Sequence, residues 1–288
     1  MIIAPVLLYS DNDFDELVIA DGLKIRKITE EELLKLFGVK VWFENQLPKN
    51  KKTKHGFNLW RNFFSGPLSR IINIFSAPYY LIESKNYEIL DDLLFCIRII
   101  NPWNIFCPIG IEITNNNKVS SCYFYPNSIT DLKKHQKDNR ILSCNDIERL
   151  ITFFETIRNN PPGNIKIIKR RLITIVNKSI DKNFRYAEAV GLMESIVSSN
   201  DQGELSFKFS LYSSYILSKY GNNTSFKEMY QAYTDRSSIL HTGKAKKEIT
   251  DQRLEKIIEY CQKIIYSSVV ESCTSKKVKE MLLNELGI

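Results

Sequence analysis

The 288-residue chain is predicted to fold as an α+β protein, with a mixed α/β N-terminal domain over 1–160 and an all-α helical bundle over 161–288. Three observations carry this expectation. The first half holds short apolar or alternating runs separated by turn residues, the pattern of strands and a hairpin. The second half holds a succession of helix-length apolar stripes joined by short connections, which favours neighbouring helices in a bundle. Between them stands Pro161-Pro162-Gly163, a strong helix breaker and the expected domain boundary.

Leu23-Lys24-Ile25-Arg26 alternates as a half-buried strand does. Thr29 and Glu32 then have capping-box spacing before Leu33, Leu34, Leu36 and Phe37, with Gly38 a plausible stop. Lys49 to His55 is polar and charged and predicts an exposed loop. Pro78 to Glu83 predicts a strand, and Ile89, Leu90, Leu93, Leu94 and Ile97 place one stripe on a helix over 86–100. Ile105–Ile113 and Val119–Tyr125 flank Asn115-Asn116-Asn117, and Asn tolerates left-handed turns, so a hairpin is expected. Asn145 and Glu148 have capping-box spacing for a helix reaching about Asn159. Further helices are expected at about 165–179, 184–198, 204–219, 226–242, 250–268 and 275–286.

Composition excludes several classes. The chain is 43% hydrophobic and 25% charged, an ordinary globular mixture. No apolar run approaches the roughly 20 residues of a membrane span, and Met1 to Leu8 has no basic flank of a signal peptide. Six cysteines without a Cys-x-x-Cys pair suit a reducing, cytoplasmic compartment. There is no P-loop, no Gly-x-Gly-x-x-Gly, no Gly-x-Ser-x-Gly and no His-Glu-x-x-His. His55, His135 and His241 lie 80 or more residues apart, so neither a metal site nor a cofactor is expected. Net charge is +7, and residues 161–288 hold 20 Lys+Arg against 14 Asp+Glu, a net +6. That imbalance permits a polyanionic partner and equally suits a solvated surface.

The chemistry-bearing segment is 225–243. Ser225 and Glu228 have capping-box spacing and Gly243 can stop the helix. At about 100° per residue, Phe226, Met229, Tyr230, Tyr233, Ser237 and Leu240 share one arc, expected to be packed, with Arg236 and His241 on its two margins about 140° apart. His can take and give a proton near neutral pH. Arg can fork onto phosphate oxygens as they gain charge. With RNA as substrate, the 2′-hydroxyl supplies the nucleophile, and Lys244, Lys246 and Lys247 could hold the backbone. The spacing equally describes a helix-end His and a surface Arg.

Arg236-Ser237-Ser238-Ile239-Leu240-His241 resembles the Arg-x(4–6)-His motif of HEPN-domain ribonucleases, the Apea-like branch in particular. The surroundings add to the likeness: Leu192-Met193-Glu194, then Gly203-Glu204-Leu205-Ser206-Phe207, an apolar run from Phe209 to Leu217, a charged turn from Lys219 to Ser225, and Tyr230 or Tyr233 before the Arg. The resemblance covers about 180–270 and extends loosely to the first half. It implies a HEPN-type helical bundle and a metal-independent endoribonuclease acting as a homodimer, with Arg236 and His241 catalytic and both motifs in one cleft. It also implies a defence or toxin effector, with a protein regulator or antitoxin as a possible partner. Two positions depart from the pattern. Ser237 stands where active members often have Asn, His or Asp, and Thr242 separates His241 from Gly243. Ser237 therefore keeps open a catalytically silent module that binds RNA, nucleotide or a protein.

Glu194 can orient Arg236 through a charge-assisted bond or serve as a plain salt bridge. Glu204 suits a helix start through the macrodipole. Tyr230 and Tyr233 can stack a base, but their place on the apolar arc favours core or dimer packing. His55 and His135 stand among lysines as surface residues, and Trp42, Trp60 and Trp103 are expected in the core.

Overall fold

The computed structural model describes residues 1–8, 14–29, 32, 79–100, 105–106, 109–113, 119–124, 143–177, 180–198, 204–222, 224–273 and 275–285. These form an α+β chain, with an antiparallel sheet in the N-terminal part and helices in the C-terminal part. The loops around His55 and His135, the three tryptophans and residues 33–37 lie outside the described residues.

The strands are β1 (Ile2–Leu8), β2 (Glu16–Ala20), β3 (Leu23–Ile28), β4 (Tyr79–Ser84), β5 (Ile105–Phe106), β6 (Ile109–Ile113) and β7 (Val119–Phe124). They run in the order β2-β3-β4-β1-β6-β7, with β5 added on β1. The opening Ile2–Leu8 was not expected as a strand, because it is a near-continuous apolar run interrupted by Pro5. Its place explains the pattern: β1 lies between β4 and β6, and Ile2, Ile3 and Ala4 are buried. Away from β4, it pairs β6 at Ile2 and Ile3 and β5 at Leu7 and Leu8. Pro5 thus falls between two ladders, where a strand tolerates a missing N–H. Asp21-Gly22 turns β2 into β3, with Gly22 at φ +72°. The Lys85 stem occupies the space a Gly22 Cβ would need, and its ammonium pairs with Asp21.

The expected alternation in β3 is present. Leu23, Ile25 and Ile28 are buried, while Lys24 meets Glu16 and Glu83 and Arg26 meets Glu83 and Glu32. Thr29 Oγ accepts from the Glu32 N–H at 3.1 Å, whereas the Glu32 carboxylate turns to Arg26. The helix α1 (Tyr87–Ile100) buries Leu90, Leu93, Leu94 and Ile97 of its expected stripe, with Ile89 half-buried at its edge, and Asn86 Oδ1 accepts from the Ile89 N–H. The expected hairpin is β6–β7, registered from Ile109 opposite Phe124 to Ile113 opposite Val119.

The remaining helices are α2 (Cys144–Asn159), α3 (Ile165–Val176), α4 (Lys182–Val197), α5 (Leu205–Lys219), α6 (Phe226–Thr242), α7 (Asp251–Val270) and α8 (Ser275–Glu285). The capping box of α2 is Ser143 with Asp146, not Asn145 with Glu148: Ser143 Oγ accepts from the Asp146 N–H, and Asp146 Oδ2 accepts from the Ser143 N–H. Two compact units, Met1–Ile151 and Thr152–Ile288, divide inside α2, upstream of the Pro161-Pro162-Gly163 break placed between 1–160 and 161–288. The part of α2 in the second unit has an apolar face. Phe153, Phe154 and Ile157 are buried, and the Phe153 ring stacks on Tyr266 at 5.4 Å.

Helix α4 is the hub of the second unit and packs against α3, α5, α6 and α7. Its sequence carries no strong stripe because it is buried nearly all round, from Tyr186 and Ala189 to Met193 and Val197. Asp181 opens it by accepting from the N–H groups of Asn183 and Phe184. Among the described residues no helix is long and apolar enough to cross a membrane.

Candidate functional site

Helix α6 begins where its sequence says it should. Ser225 Oγ accepts from the Glu228 N–H at 3.1 Å, and Gly243 ends the helix at φ +74°, its N–H donating to Ile239 O. The orientation differs from the expected one. The buried side carries Met229, Ala232, Asp235 and Ile239. Of the apolar arc expected to be packed, only Met229 is buried. Phe226 is 37%, Tyr230 47% and Leu240 56% exposed, and Tyr233 and Ser237 are half-buried. Asp235 explains the rotation. It is wholly buried, accepting 2.7 Å from Arg253 Nη2 and 3.1 Å from Gln231 Nε2. Turning this charge inward aims the apolar arc on the opposite face of the helix at solvent.

Arg236 stands at one margin of that exposed arc. Its Nη1 lies 2.9 Å from Glu194 Oε2, with both heads half-buried. Tyr233 packs on Phe209 at 5.6 Å, and its hydroxyl is held protonated above the usual phenol range, first by burial and then by the Glu194 charge. Glu194 thus takes the Arg236 guanidinium from α6, with Tyr233 one turn earlier on the same helix. Beneath them, α4 has Gly191. A Cβ there would meet Arg236 Nε at 2.9 Å and Arg171 Nη2 at 2.9 Å. Arg171 comes from α3 and is tied to Glu188 Oε2 at 3.1 Å. Glu188, Gly191 and Glu194 recur every three residues and form one ridge of α4.

His241 occupies the opposite margin in the last turn of α6 and is exposed. No hydrogen bond or ion pair joins it to Arg236 among the described residues, and about 140° of helix surface separates the two positions. Lys244, Lys246 and Lys247 follow on an exposed turn whose backbone is held from both sides. Ser238 Oγ and Thr242 Oγ1 donate to Lys244 O at 2.8 and 3.1 Å. Arg253 Nη1 donates to Lys247 O and Glu248 O at 3.1 and 2.7 Å. Arg253 also lies over the Tyr186 ring at 5.6 Å. One guanidinium therefore fastens the buried Asp235 to the lysine turn that follows His241. Ser237 sits on the exposed arc beside Arg236, and Glu204 precedes α5 in the left-handed region at φ 49°, with no side-chain cap bond.

The arrangement offers a fork-shaped cation, an imidazole and three ammonium groups along one helix and its following turn, with an apolar strip between Arg236 and His241. Such a strip can bury itself against a like surface, and the flanking cations can hold phosphates. Sequence reasoning missed Arg171, Glu188, Gly191, Asp235 and Arg253. The isolated Gly191 inside a helical pattern was a signal that another group approaches the backbone closely. Among the described residues, no three His, Cys, Asp or Glu side chains gather as metal ligands. No family model, no curated protein and no solved structure matches this chain.

Proposed function

We propose that this chain is a metal-independent endoribonuclease of the HEPN type, with Arg236 and His241 as its catalytic residues. The observation that carries the reading is the exposed arc of Phe226, Tyr230 and Leu240, bounded by Arg236 on one side and His241 on the other. In a two-fold dimer built on that arc, two copies of each residue line one cleft. One imidazole takes the 2′-hydroxyl proton. The 2′-oxygen attacks phosphorus, and the 5′-oxygen leaves with a proton from the other imidazole. Arg236 exchanges Glu194 for the phosphate oxygens as their charge grows. Lys244, Lys246 and Lys247 hold the flanking backbone as point charges. A role as a defence or toxin effector, restrained by a protein regulator, is part of the same proposal.

A second reading, a silent module that binds RNA, nucleotide or protein, draws on Ser237 and on the neutralisation of Arg236 by Glu194. Product chemistry separates the two. The enzyme cuts RNA to fragments ending in 2′,3′-cyclic phosphate and 5′-hydroxyl, leaves DNA intact, and loses activity in Arg236→Ala. Efficient cleavage of a DNA oligonucleotide, or full activity in Arg236→Ala, defeats the proposal.

A further inference from the structure

We propose that Arg171 and Arg236, brought together over Gly191, form a two-guanidinium cradle for a single RNA phosphate; this rests on the ribonuclease reading and extends its site to α3. Arg171 Nη2 and Arg236 Nε each lie 2.9 Å from the point a Gly191 Cβ would occupy. The two nitrogens are therefore at most twice that distance apart, close enough to bind different oxygens of one phosphate. They come from α3 and α6, both packed against α4, and the two side chains are 24% and 23% exposed. An anion held across both takes the place of two carboxylates, with the basic α3 supplying the excess positive charge. Glu188 and Glu194 balance one guanidinium each, and α3 carries four basic residues and no acidic one.

The donors of Arg171 are loosely committed. Its bonds to Gly191 O and Glu188 O are both 3.3 Å, longer than a well-formed N–H···O bond. Gly191 is the positioning residue. Glycine inside a helix is less stable than alanine, and here its missing Cβ is the space the two guanidinium groups use. A methyl at this point meets only the far ends of two flexible side chains, so Gly191→Ala moves the cradle without removing its charges.

The test is binding of a fluorescent 2′-O-methyl RNA oligonucleotide, whose blocked nucleophile separates binding from cleavage, to the full chain over a salt series. Arg171→Gln is expected to weaken binding about tenfold and to lower the slope of log affinity against log salt by about one. Arg171→Lys restores the slope but not the full affinity, since lysine cannot fork. Gly191→Ala weakens binding while melting at or above the wild-type temperature, an outcome a purely structural role does not give. Lys279→Gln, an exposed residue of α8, is the control and leaves affinity unchanged. Wild-type affinity in both Arg171→Gln and Gly191→Ala overturns the cradle even where Arg236 and His241 prove essential for cleavage. Tight binding that depends on Arg171 and Gly191, with no cleavage of ordinary RNA, supports the cradle and defeats the ribonuclease reading instead.

Discussion

Replacing Arg253 by Met removes the only cation bonded to the wholly buried Asp235 among the described residues, while keeping an unbranched apolar stem over Tyr186. Asp235 would retain the Gln231 bond of 3.1 Å, and Lys247 O and Glu248 O would lose their donor. Breaking a buried pair from one side costs about 3–5 kcal/mol, because the other charge is stranded. Arg253 is itself 31% exposed, so water restores part of the loss and about 3 kcal/mol is the appropriate end of the range. At roughly 2–4 °C per kcal/mol, the melting temperature should fall by about 6–12 °C. The assay is thermal unfolding followed by helical circular dichroism at neutral pH. The double variant Arg253→Met with Asp235→Leu should recover much of the loss, since no charge then remains buried. A single variant melting within about 2 °C of wild type, or a double variant less stable than the single, refutes this account of how α6 is oriented.

Leu240→Glu, placed on the exposed arc, should leave the melting temperature nearly unchanged and convert dimer to monomer by light scattering, with cleavage lost; a variant still dimeric excludes that arc as the interface. Stability should fall above pH about 9, because burial holds the Tyr186 and Tyr220 phenols above their ordinary range and pushes the Cys261 thiol up to about 12. The unfolded chain then releases these protons first, so stabilisation is complete below the ordinary pKa values and lost as pH rises past them. Urea midpoints that do not decline between pH about 8 and about 10.5 contradict this. Cys144 is exposed while Cys96, Cys261 and Cys273 are buried. Native alkylation mapped by mass spectrometry should therefore mark Cys144 and spare the other three, and rapid labelling of Cys261 goes against the helical core described.

Local signals in the sequence placed most of the described helices well. Ser225 and Gly243 bracket α6 where their chemistry requires, and the stripe from Leu90 to Ile97 faces inward as its spacing demands. Central elements were harder to read. β1 is paired along both edges and shows no alternation, and α4 is buried nearly all round and shows no stripe. Rotation of α6 was illegible for a different reason. Hydrophobicity assigns Phe226, Tyr230 and Leu240 to a core, but the partner that draws Asp235 inward, Arg253, arrives from the next helix. The pairing of Glu194 with Arg236 was within reach of charge and order along the chain. Arg171 was not, since its approach to Arg236 depends on Gly191, whose importance lies in an atom it lacks.

The central claim is that His241 and the 2′-hydroxyl perform the cleavage without a metal ion, and one incubation tests it most directly. Total RNA is mixed with the wild-type chain and with His241→Ala, both in excess EDTA. The account predicts cleavage by the wild type, undiminished by the chelator, and intact RNA with His241→Ala. Cleavage that stops in EDTA and returns with Mg²⁺, or that His241→Ala carries out at the wild-type rate, contradicts it.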